Sequence, residues 1–599
     1  MLRKSLLSLA VIASLSACSL DGDDGQDGAP GTAGQNGTNG VDGIDGLNAT
    51  NQLDIQLIGR AVLNAQSPEG AAEIVAFHKA KNHIYAINSS GDEAVVDVIN
   101  IESIDGSGLT QDNEGVVTNT NLSSAVQIKL NDHTLGDANS IAISPDQTLL
   151  AVAMAAPSKA QKGQVAIYNI EGDNPTFVKN IEVGYLPDML TFTPNGGKIL
   201  VANEGEPLSD YSFDAEGSIS IINITEGEVA NAAIELSLTA YNGKQAELEA
   251  MGVVFANPNG RVIKGSTITT TVAQDLEPEY ITVSKDSKFA YVSLQENNGL
   301  AFINLETNSL EIKGLGFKDW SNLDFDASDK DGGINFKQYN GLYGMYQPDT
   351  IASFTWQNAP FIVTANEGDG REYFFDATNE AECLANGGLD YDEDDGCLVY
   401  TDESRVEDLN LAANFSDLSN DDDDIGRLKV TTEYGDADKD GLYEKLYTYG
   451  ARSFSIWDQN GLNVFDSADQ VDRITASIHG QAFNNDEDEN EGDTRSDAKG
   501  AEPEALAIGQ VGEQTYAFLG LERMGGVMVY NITNPYNVSF VDYFINRGLV
   551  EGAGISGDLA PEGMAFVTAD NSPTGKALLI VGNEISGSVS VWQVAPQHQ

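Results

Sequence analysis

An alternation of apolar and polar residues recurs seven times along the chain, each time after an acidic or amide residue. A period of two residues is typical of a strand with one buried face. Recurrence at roughly 40–50 residues per unit predicts four-stranded repeats. We therefore predict an all-β fold, a seven-bladed β-propeller of the YVTN or WD type. The predicted first strands follow Glu73, Asn139, Asp188, Glu279, Asp349, Glu504 and Glu562.

A second apolar run follows each of these strands in the same register. The runs are HIYAIN (83–88), LLAVAM (149–154), KILVANEG (198–205), FAYVSLQE (289–296), FIVTANEG (361–368), YAFLGLER (516–523) and LLIVGNE (578–584). Because neighbouring strands are antiparallel, the end of the second strand lies beside the start of the first. The sequence thus predicts two sets of carboxylates on one face near the axis. The second set is Glu204, Glu296, Glu367, Glu522 and Glu584.

A simpler explanation exists for the first set, because Pro-Asp and Pro-Glu make good turns at a strand entry. Turn chemistry does not account for the second set. We therefore treat both sets as candidate cation ligands.

The chain of 599 residues carries 92 acidic and 32 basic residues, a net charge of −60. This charge argues against nucleic acid as a partner, because the phosphate backbone would be repelled. It favours bound cations, a high-salt habitat, or both. Acidity of this kind also occurs purely as an adaptation for solubility.

The first residues have the pattern of an export signal. Met1–Lys4 is basic, Leu6–Ala17 is apolar but too short to span a bilayer, and the segment ends in Leu15-Ser-Ala-Cys18. This ending resembles a bacterial lipobox. The resemblance implies removal of residues 1–17, lipidation of Cys18 and attachment to the outer membrane, with the domain in the periplasm or on the cell surface.

The segment 18–52 predicts a stalk. Gly occupies every third position from Gly22 to Gly46, which is the collagen period, but Pro30 is its only proline. Two interpretations stay open: a flexible spacer that holds the domain away from the membrane, and a weak trimerising stem.

The predicted propeller extends over 53–595 and carries inserts, the longest at about 374–450 within the fifth repeat. Inserts that leave a repeat at its rim usually carry function. Two cysteines of this insert, Cys383 and Cys397, predict a disulfide in an exported protein.

The insert also contains the sharpest cation motif of the chain. Asp436, Asp438 and Asp440 alternate before Gly441, and Glu444 follows as a closing ligand. Oxygen ligands at alternate positions before a tight turn suit calcium. The twelfth position holds Tyr447, so the motif is not an EF-hand. A solvated acidic turn is the alternative. A weaker relative of the motif contains Asp326, Asp329 and Asp331.

Signals for catalysis are fewer. The five histidines do not cluster, which argues against zinc. Arg371 and Arg523 follow second strands and are expected on the acidic face. Beside calcium they could clamp a phosphate group. The alternative is that they form ion pairs that brace acidic loops.

Several longer motifs resemble the choice-of-anchor I family. They are GYLPDMLTFTPNGGKILVANEGEP (184–207), YGMYQPDTIASF (343–354), TANEGDGREY (364–373), GARSFSIWD (450–458), KGAEPEALAIG (499–509) and LAPEGMAFV (559–567). The resemblance implies a YVTN-like propeller held outside the cell. The family is similar to mesenchyme-specific cell-surface glycoproteins, and some of its members are labelled alkaline phosphatase.

Two functions fit these features. The first is a calcium-binding display module that contacts extracellular matrix components. The second is a calcium-dependent phosphoesterase, similar to alkaline phosphatase or phytase. In the second, ions held by the first set would neutralise the phosphate and activate water, and the two arginines would bind its oxygens. The catalytic candidates are Asp188, Glu279, Asp349, Glu504, Glu562, Arg371 and Arg523. The sequence favours the first function.

Overall fold

The computed structural model describes residues 52–597 except 65, 92, 264, 393–395 and 488–489. Strands dominate this part of the chain, and its longest helix, Gln470–His479, has ten residues. The prediction of an all-β fold is therefore confirmed. The other helices are Gln245–Glu249, Val272–Asp275 and Glu380–Ala385, and 3-10 turns lie at Thr239–Tyr241, Trp320–Asn322, Val406–Asp408, Ala413–Phe415, Gly480–Ala482 and Ala569–Asn571.

Seven antiparallel sheets in the described residues carry the repeated strands, and we number them in chain order. Sheet 1 contains Ala71–His78, His83–Asn88, Val95–Asn100 and Ser124–Lys129. Sheet 2 contains Ala138–Ile143, Leu149–Met154, Lys162–Asn169 and Thr176–Tyr185. Sheet 3 contains Pro187–Phe192, Lys198–Asn203 and Ser218–Thr225, which pairs with both Glu228–Val229 and Ile234–Ser237. Sheet 4 contains Ile281–Val283, Phe289–Leu294, Gly299–Asn304 and Ser309–Gly314.

Sheets 5 to 7 continue the pattern. Sheet 5 contains Ile351–Trp356, Ala359–Asn366, Ser453–Asp458 and Asn463–Asp466. Sheet 6 contains Pro503–Val511, Gln514–Leu521, Val527–Asn531 and Ser539–Phe544. Sheet 7 contains Pro561–Val567, Ala577–Asn583, Ser588–Pro596 and, as its fourth strand, Leu53–Val62. The second strands agree closely with the apolar runs predicted from the sequence.

The first strands of the sheets form a closed circuit. Each contacts the first strand of the next sheet, and that of sheet 7 contacts that of sheet 1. The strand Leu53–Val62 pairs antiparallel with Ser588–Pro596, which joins both ends of the described chain in one sheet. Beside this joint, Nε of Arg60 lies 2.6 Å from Oδ1 of Asp558, and both residues are buried.

Apolar side chains fill the space between neighbouring sheets. Aromatic contacts mark two of these layers. The ring of Phe454 lies 4.6 Å from that of Tyr530 between sheets 5 and 6, and Phe518 lies 5.5 Å from Phe566 between sheets 6 and 7. Burial of one such side chain contributes about 1.5–3 kcal/mol. Because both faces of each sheet are covered, many strands are apolar at almost every position.

The long insert lies between the second and third strands of sheet 5, as the sequence predicts. It contributes strands to several small sheets, and its Leu428 and Leu446 share a buried cluster with Phe325 from the segment before sheet 5. The small sheets of the insert are Glu372–Phe375 with Asp390–Asp392 and Gly396–Thr401, and Glu403–Arg405 with Lys429–Thr431. Its strand Leu446–Thr448 joins Phe317–Asp319 and Leu342–Met345, which precede the insert, and a separate hairpin pairs Val262–Ile263 with Ser266–Thr267.

Cys383 and Cys397 are joined by a disulfide within this insert. Gly388 packs directly against it. A Cβ atom at position 388 would lie 2.0 Å from Sγ of Cys397, so only glycine fits there.

The predicted export signal, the lipidated Cys18 and the Gly-rich repeat lie outside the described residues, so they stay predictions. Within the residues that the structure describes, no helix is long and apolar enough to cross a membrane.

Candidate functional site

A shared turn places four acids of the first set. In each, a residue with positive φ precedes a proline, and the acid follows. The φ values are +45° at Leu186, +40° at Gln347, +54° at Glu502 and +60° at Ala560. Such values are uncommon outside glycine. The acids are Asp188, Asp349, Glu504 and Glu562.

The register of the sheets also changes at three of these acids. It shifts between Pro187 and Leu190, and equivalent shifts occur at Pro503 and Pro561. A bulge interrupts pairing and redirects a side chain. The Pro-acid turns suggested by the sequence are therefore real, and they direct the acids into one cavity.

An asparagine positions several acids of the second set. It ends the second strand, is buried, and donates hydrogen bonds of 2.9–3.4 Å to two serine hydroxyls on the third strand. The next residue, a glutamate, therefore starts from a fixed backbone. The asparagines are Asn203, Asn366 and Asn583, with Ser218 and Ser220, Ser453 and Ser455, and Ser588 and Ser590 as their partners.

Both sets meet in a central cavity of about 420 Å³. Among the described residues, the basic side chains that line it are Lys499 and Arg523. Its carboxylates are Asp188, Glu204, Glu206, Glu279, Glu296, Asp349, Glu367, Asp369, Glu504, Glu522 and Glu562. The structure thus brings together nine of the eleven acids in the two predicted sets. Glu584 is not in the lining, but with Glu562 it raises the pKa of nearby Glu73 to about 8, after the larger effect of burial.

Carboxylate oxygens approach one another within 4.8 Å in three groups at this cavity. We name them group A, group B and group C. Group A is Glu204, Glu277 and Glu296, group B is Asp349, Glu504 and Glu562, and group C is Glu367, Glu502 and Glu522.

Group C is neutralised by basic side chains. Nζ of Lys499 lies 2.6 Å from Oε1 of Glu367 and 3.0 Å from Oε2 of Glu502. Nε of Arg523 lies 3.3 Å from Oε2 of Glu502, and Nη2 of Arg523 lies 3.1 Å from Oε1 of Glu522. Arg495 also pairs with Glu502. These cations hold the pKa of Glu502 far below its usual range despite its burial. Group C is therefore internally compensated.

Group B has no such compensation. Among the described residues, none of its three carboxylates has a salt-bridge partner, and Oε2 of Glu504 is buried without a hydrogen bond. Burial raises the pKa of Asp349 and Glu504 well above normal and that of Glu562 to about 7, and neighbouring carboxylates add to the shifts of Asp349 and Glu504. Such a group takes up protons or a cation.

Group A lies beside two further acids, Asp188 and Glu279, which form no salt bridge among the described residues. Burial, followed by the charge of Glu296, raises the pKa of Glu204 to about 8 and that of Asp188 to about 6. Glu279 and Glu296 each have a buried Oε2 without a hydrogen-bond partner. Free carboxylate oxygens at this density suit a hard cation such as calcium.

Arg371 does not line the cavity. Its Nη1 atom lies 2.5 Å from Glu277 and donates to the hydroxyl of Tyr373 at 3.0 Å, and Nη2 lies 3.2 Å from Asp275. The side chain of Arg371 is 3% exposed. Of the two predicted arginines, only Arg523 faces the cavity, and it also pairs with Glu487. The ion pairs expected as the alternative role of these arginines are present.

The loop of the peripheral motif brings oxygens of Asp436, Asp438 and Asp440 within 4.8 Å of one another. Asp436 accepts hydrogen bonds from the backbone N–H of Asp440 at 3.1 Å and of Gly441 at 2.8 Å. Glu444 borders the same surface hollow but lies outside the close group. Its part as a closing ligand stays a prediction.

The weaker motif is divided in the structure. Asp329 pairs with Arg427 at 2.5 Å and with Lys330, so it is not free for a cation. Asp326 and Asp331 instead each have a buried oxygen without a hydrogen-bond partner. Arg427 compensates the charge of Asp329 in this structure, and the role of Asp326, Asp329 and Asp331 as cation ligands stays a prediction.

Sequence reasoning missed Glu277, Glu502 and Lys499. A signal was present, because Glu-Pro-Glu occurs at both 277–279 and 502–504. In each case the second glutamate belongs to the repeated first set. The first glutamate belongs to group A at 277 and to group C at 502, and its place in the site depends on the backbone conformation of the turn, which the sequence does not reveal.

Comparison with known proteins gives two curated relatives. Gigasin-3a of Magallana gigas is 28% identical over 184 residues, covering 28% of this chain and 64% of the relative. The mesenchyme-specific cell surface glycoprotein of Strongylocentrotus purpuratus is 25% identical over 260 residues, covering 41% of this chain and 33% of the relative. The chain thus spans less than two thirds of either relative.

Solved structures of similar fold include β-propellers. Hydrazine synthase of Kuenenia stuttgartiensis has a TM-score of 0.42 and 12% identity, with 90% of this chain and 98% of that chain covered. The WD40 domain of Toxoplasma gondii coronin has a TM-score of 0.40 and 8% identity, with 92% of this chain and 88% of that chain covered. The Cps50 (Swd1) β-propeller domain of Myceliophteria thermophila has a TM-score of 0.37 and 9% identity, with 90% of this chain and 100% of that chain covered.

A family model, that of the choice-of-anchor I domain, matches residues 73–535, which is more than half of the chain. The match extends from the first strand of sheet 1 into sheet 6 and includes the members of groups A and C together with Asp349 and Glu504 of group B. The protein is therefore a member of the choice-of-anchor I domain family.

Proposed function

We propose that this protein is a surface-associated, calcium-binding propeller module whose central cavity holds the cation. The supporting observation is the charge of that cavity, where eleven carboxylates face two basic side chains. Lys499 and Arg523 compensate group C, and Arg371 compensates Glu277. Group B and the remaining acids of group A then need protons or an external cation.

The proposal includes a blade count of seven. Its support is the closed circuit of first strands and the joint between Leu53–Val62 and Ser588–Pro596. In such a ring the first strands surround the axis, which is where the two sets of acids lie.

Group B is the proposed primary calcium site. Calcium takes six to eight oxygen ligands, and carboxylates supply one or two each. Asp349, Glu504 and Glu562 would hold one ion, and Glu204 with Glu296 and Glu279 a second. The loop at Asp436, Asp438 and Asp440 would add a weaker peripheral site.

Surface association is proposed from the sequence and from a relative. One curated relative is named as a cell surface glycoprotein. Residues 1–18 predict a lipoprotein signal. The lipid on Cys18 would insert into the bilayer of the outer membrane and anchor the protein there. The module would then face the periplasm or the surroundings and contact extracellular matrix components through bound calcium. The glycine repeat would act as a spacer or a weak trimerising stem.

Calorimetric titration of the metal-free protein with calcium tests the central site. Glu504→Gln with Glu562→Gln should remove one bound equivalent or weaken it at least tenfold. The fold should persist, because burial already favours the neutral form of both groups. Asp408→Asn, which neutralises an exposed acid, is the matched control and should bind normally. Unchanged binding in the double variant would overturn the proposal.

A calcium-dependent phosphoesterase is the second candidate. The observation in its favour is that Lys499 and Arg523 line the same cavity as Asp188 and Glu279. Calcium would supply charge neutralisation for phosphate oxygens, and Arg523 would orient them.

Hydrolysis of 4-nitrophenyl phosphate, with calcium and with chelator, separates the two candidates. An enzyme should show calcium-dependent turnover that is lost in Glu279→Gln with Glu504→Gln. A display module should bind calcium without turnover.

A further inference from the structure

A second group of unpartnered oxygens lies away from the central cavity, between two loops. One loop contains Asp326 and Asp331, and the other contains Asn484 and Asp493. Arg452 joins them: Nη1 donates to the carbonyl of Asp326 at 2.9 Å, and Nη2 donates to the carbonyl of Ser496 at 2.7 Å. One guanidinium group therefore links the two loops, although they are about 160 residues apart in the chain.

Each of these side chains has one oxygen that forms no hydrogen bond. Asp326 is fully buried; Oδ2 accepts from the backbone N–H of Asn335 at 2.7 Å, and Oδ1 has no partner. Asp493 is 7% exposed, and its Oδ2 atom is likewise unpartnered. Asn484 is fully buried with a free Oδ1 atom, and Oδ1 of Asp331 is also buried and free.

A short network holds the second loop in place. Ser496 donates from Oγ to Oδ1 of Asp493 at 2.7 Å, and Nδ2 of Asn484 donates to the same Oγ at 2.9 Å. Asn484 and Asp493 are therefore neighbours, each with its remaining oxygen unused. The charges of Asp493 and Asp331 also act on Asp326, because after burial they contribute to a pKa of about 7 for its carboxyl.

Basic groups nearby are committed elsewhere. Arg427 pairs with Asp329 and Asp497, and the guanidinium of Arg452 contacts backbone carbonyls and Asp472. Among the described residues, none forms a salt bridge with Asp326, Asp331 or Asp493. Buried carboxylates without a cation are costly.

We propose that Asp326, Asp331, Asp493 and Asn484 form a buried calcium site that joins the two loops. The three carboxylates and the amide oxygen come from two irregular loops that Arg452 links, and an all-oxygen set on such loops suits the flexible coordination of calcium better than the strict octahedron of magnesium. The site is separate from groups A and B and does not depend on them.

The site has a consequence for the central cavity. The loop that carries Asp493 also carries Arg495, which pairs with Glu502, and Glu487, which pairs with Arg523. An ion at Asp493 therefore fixes the basic residues that compensate group C. Its role is to position the cavity lining, and it contacts no substrate.

The test counts bound calcium in the purified protein by native mass spectrometry, using calcium alone as the probe. Asp326→Asn and Asp493→Asn should each lose one ion, while Glu504→Gln loses a different one. Asp408→Asn should lose none. Unchanged stoichiometry in both Asp326→Asn and Asp493→Asn would overturn the site, whatever the result at Glu504.

A second measurement applies even where a variant fails to fold. Hydrogen exchange of the unmodified protein should speed up at 484–497 and at 326–335 when calcium is removed, by at least tenfold. Exchange at these loops that is indifferent to calcium would overturn the proposal.

Discussion

Nζ of Lys499 lies 2.6 Å from Oε1 of Glu367, and this pair joins the loop before sheet 6 to the end of the second strand of sheet 5. The same ammonium group lies 3.0 Å from Glu502, whose carboxylate is fully buried. One lysine thus compensates two acids of group C. The cavity is divided by this arrangement into a compensated part and an uncompensated part.

Lys499→Met should destabilise the protein. Removing one partner from a buried ion pair leaves an uncompensated charge, and the expected loss is about 3–5 kcal/mol of unfolding free energy at pH 7. Urea unfolding measures it. Lys129→Met, which removes an exposed pair with Glu93 at 3.8 Å, should cost less than about 1 kcal/mol. Equal effects of the two substitutions would contradict the compensating role of Lys499.

Arg371→Met should act on stability rather than on anion binding. Its guanidinium is buried against Glu277 and Asp275, so the expected loss is again about 3–5 kcal/mol. Arg473→Met is a matched control, because that arginine is 59% exposed. A variant of Arg371 that keeps full stability but loses phosphate binding would support the phosphate clamp instead.

The stability of the metal-free protein should fall as pH rises from about 4.5 to about 8. Glu204 and Glu73 have pKa values raised to about 8 and Glu562 to about 7. The folded state therefore binds more protons than the unfolded state in this range, and stability decreases with pH.

Melting temperatures at pH 5, 6, 7 and 8, with chelator and with calcium, measure this dependence. Calcium should remove most of the decline, because it replaces the protons, and its stabilising effect should be largest at pH 8. Glu204→Gln with Glu562→Gln should flatten the curve obtained with chelator. A stability that rises with pH in chelator would contradict the assignment.

Asp438→Asn should weaken only the peripheral site. The loop oxygens of Asp436, Asp438 and Asp440 are close together but partly or fully exposed, so its calcium affinity should be lower than that of the cavity. Limited proteolysis near 436–444 should become independent of calcium in this variant. Protection that still depends on calcium would show that Asp438 is not a ligand.

The strands could be predicted because their signal is local. Alternation and polar turns give both the second strands and the position of the repeated acids, and antiparallel pairing then places both sets on one face. The clustering of nine predicted acids follows from these two facts alone. Only the closed circuit of first strands adds information at this level.

The detailed site could not be predicted in the same way. Glu277 and Glu502 precede prolines and enter the site through the backbone conformation of the turn, with Glu502 at a φ of +54°. The loops that carry Asp326 and Asp493 are linked through Arg452, and their separation in the sequence gives no sign of this link. Likewise, the sequence suggested that Arg371 lies on the acidic face, but it could not show that this arginine pairs with Glu277 and Asp275 and does not line the cavity.

Anomalous X-ray diffraction from calcium-containing crystals tests the central claim most directly. The account predicts an anomalous peak bounded by Asp349, Glu504 and Glu562, with oxygen ligands at about 2.3–2.6 Å. The peak should be absent from crystals of Glu504→Gln with Glu562→Gln. An ordered cavity at saturating calcium that contains water and no anomalous peak at group B would contradict it.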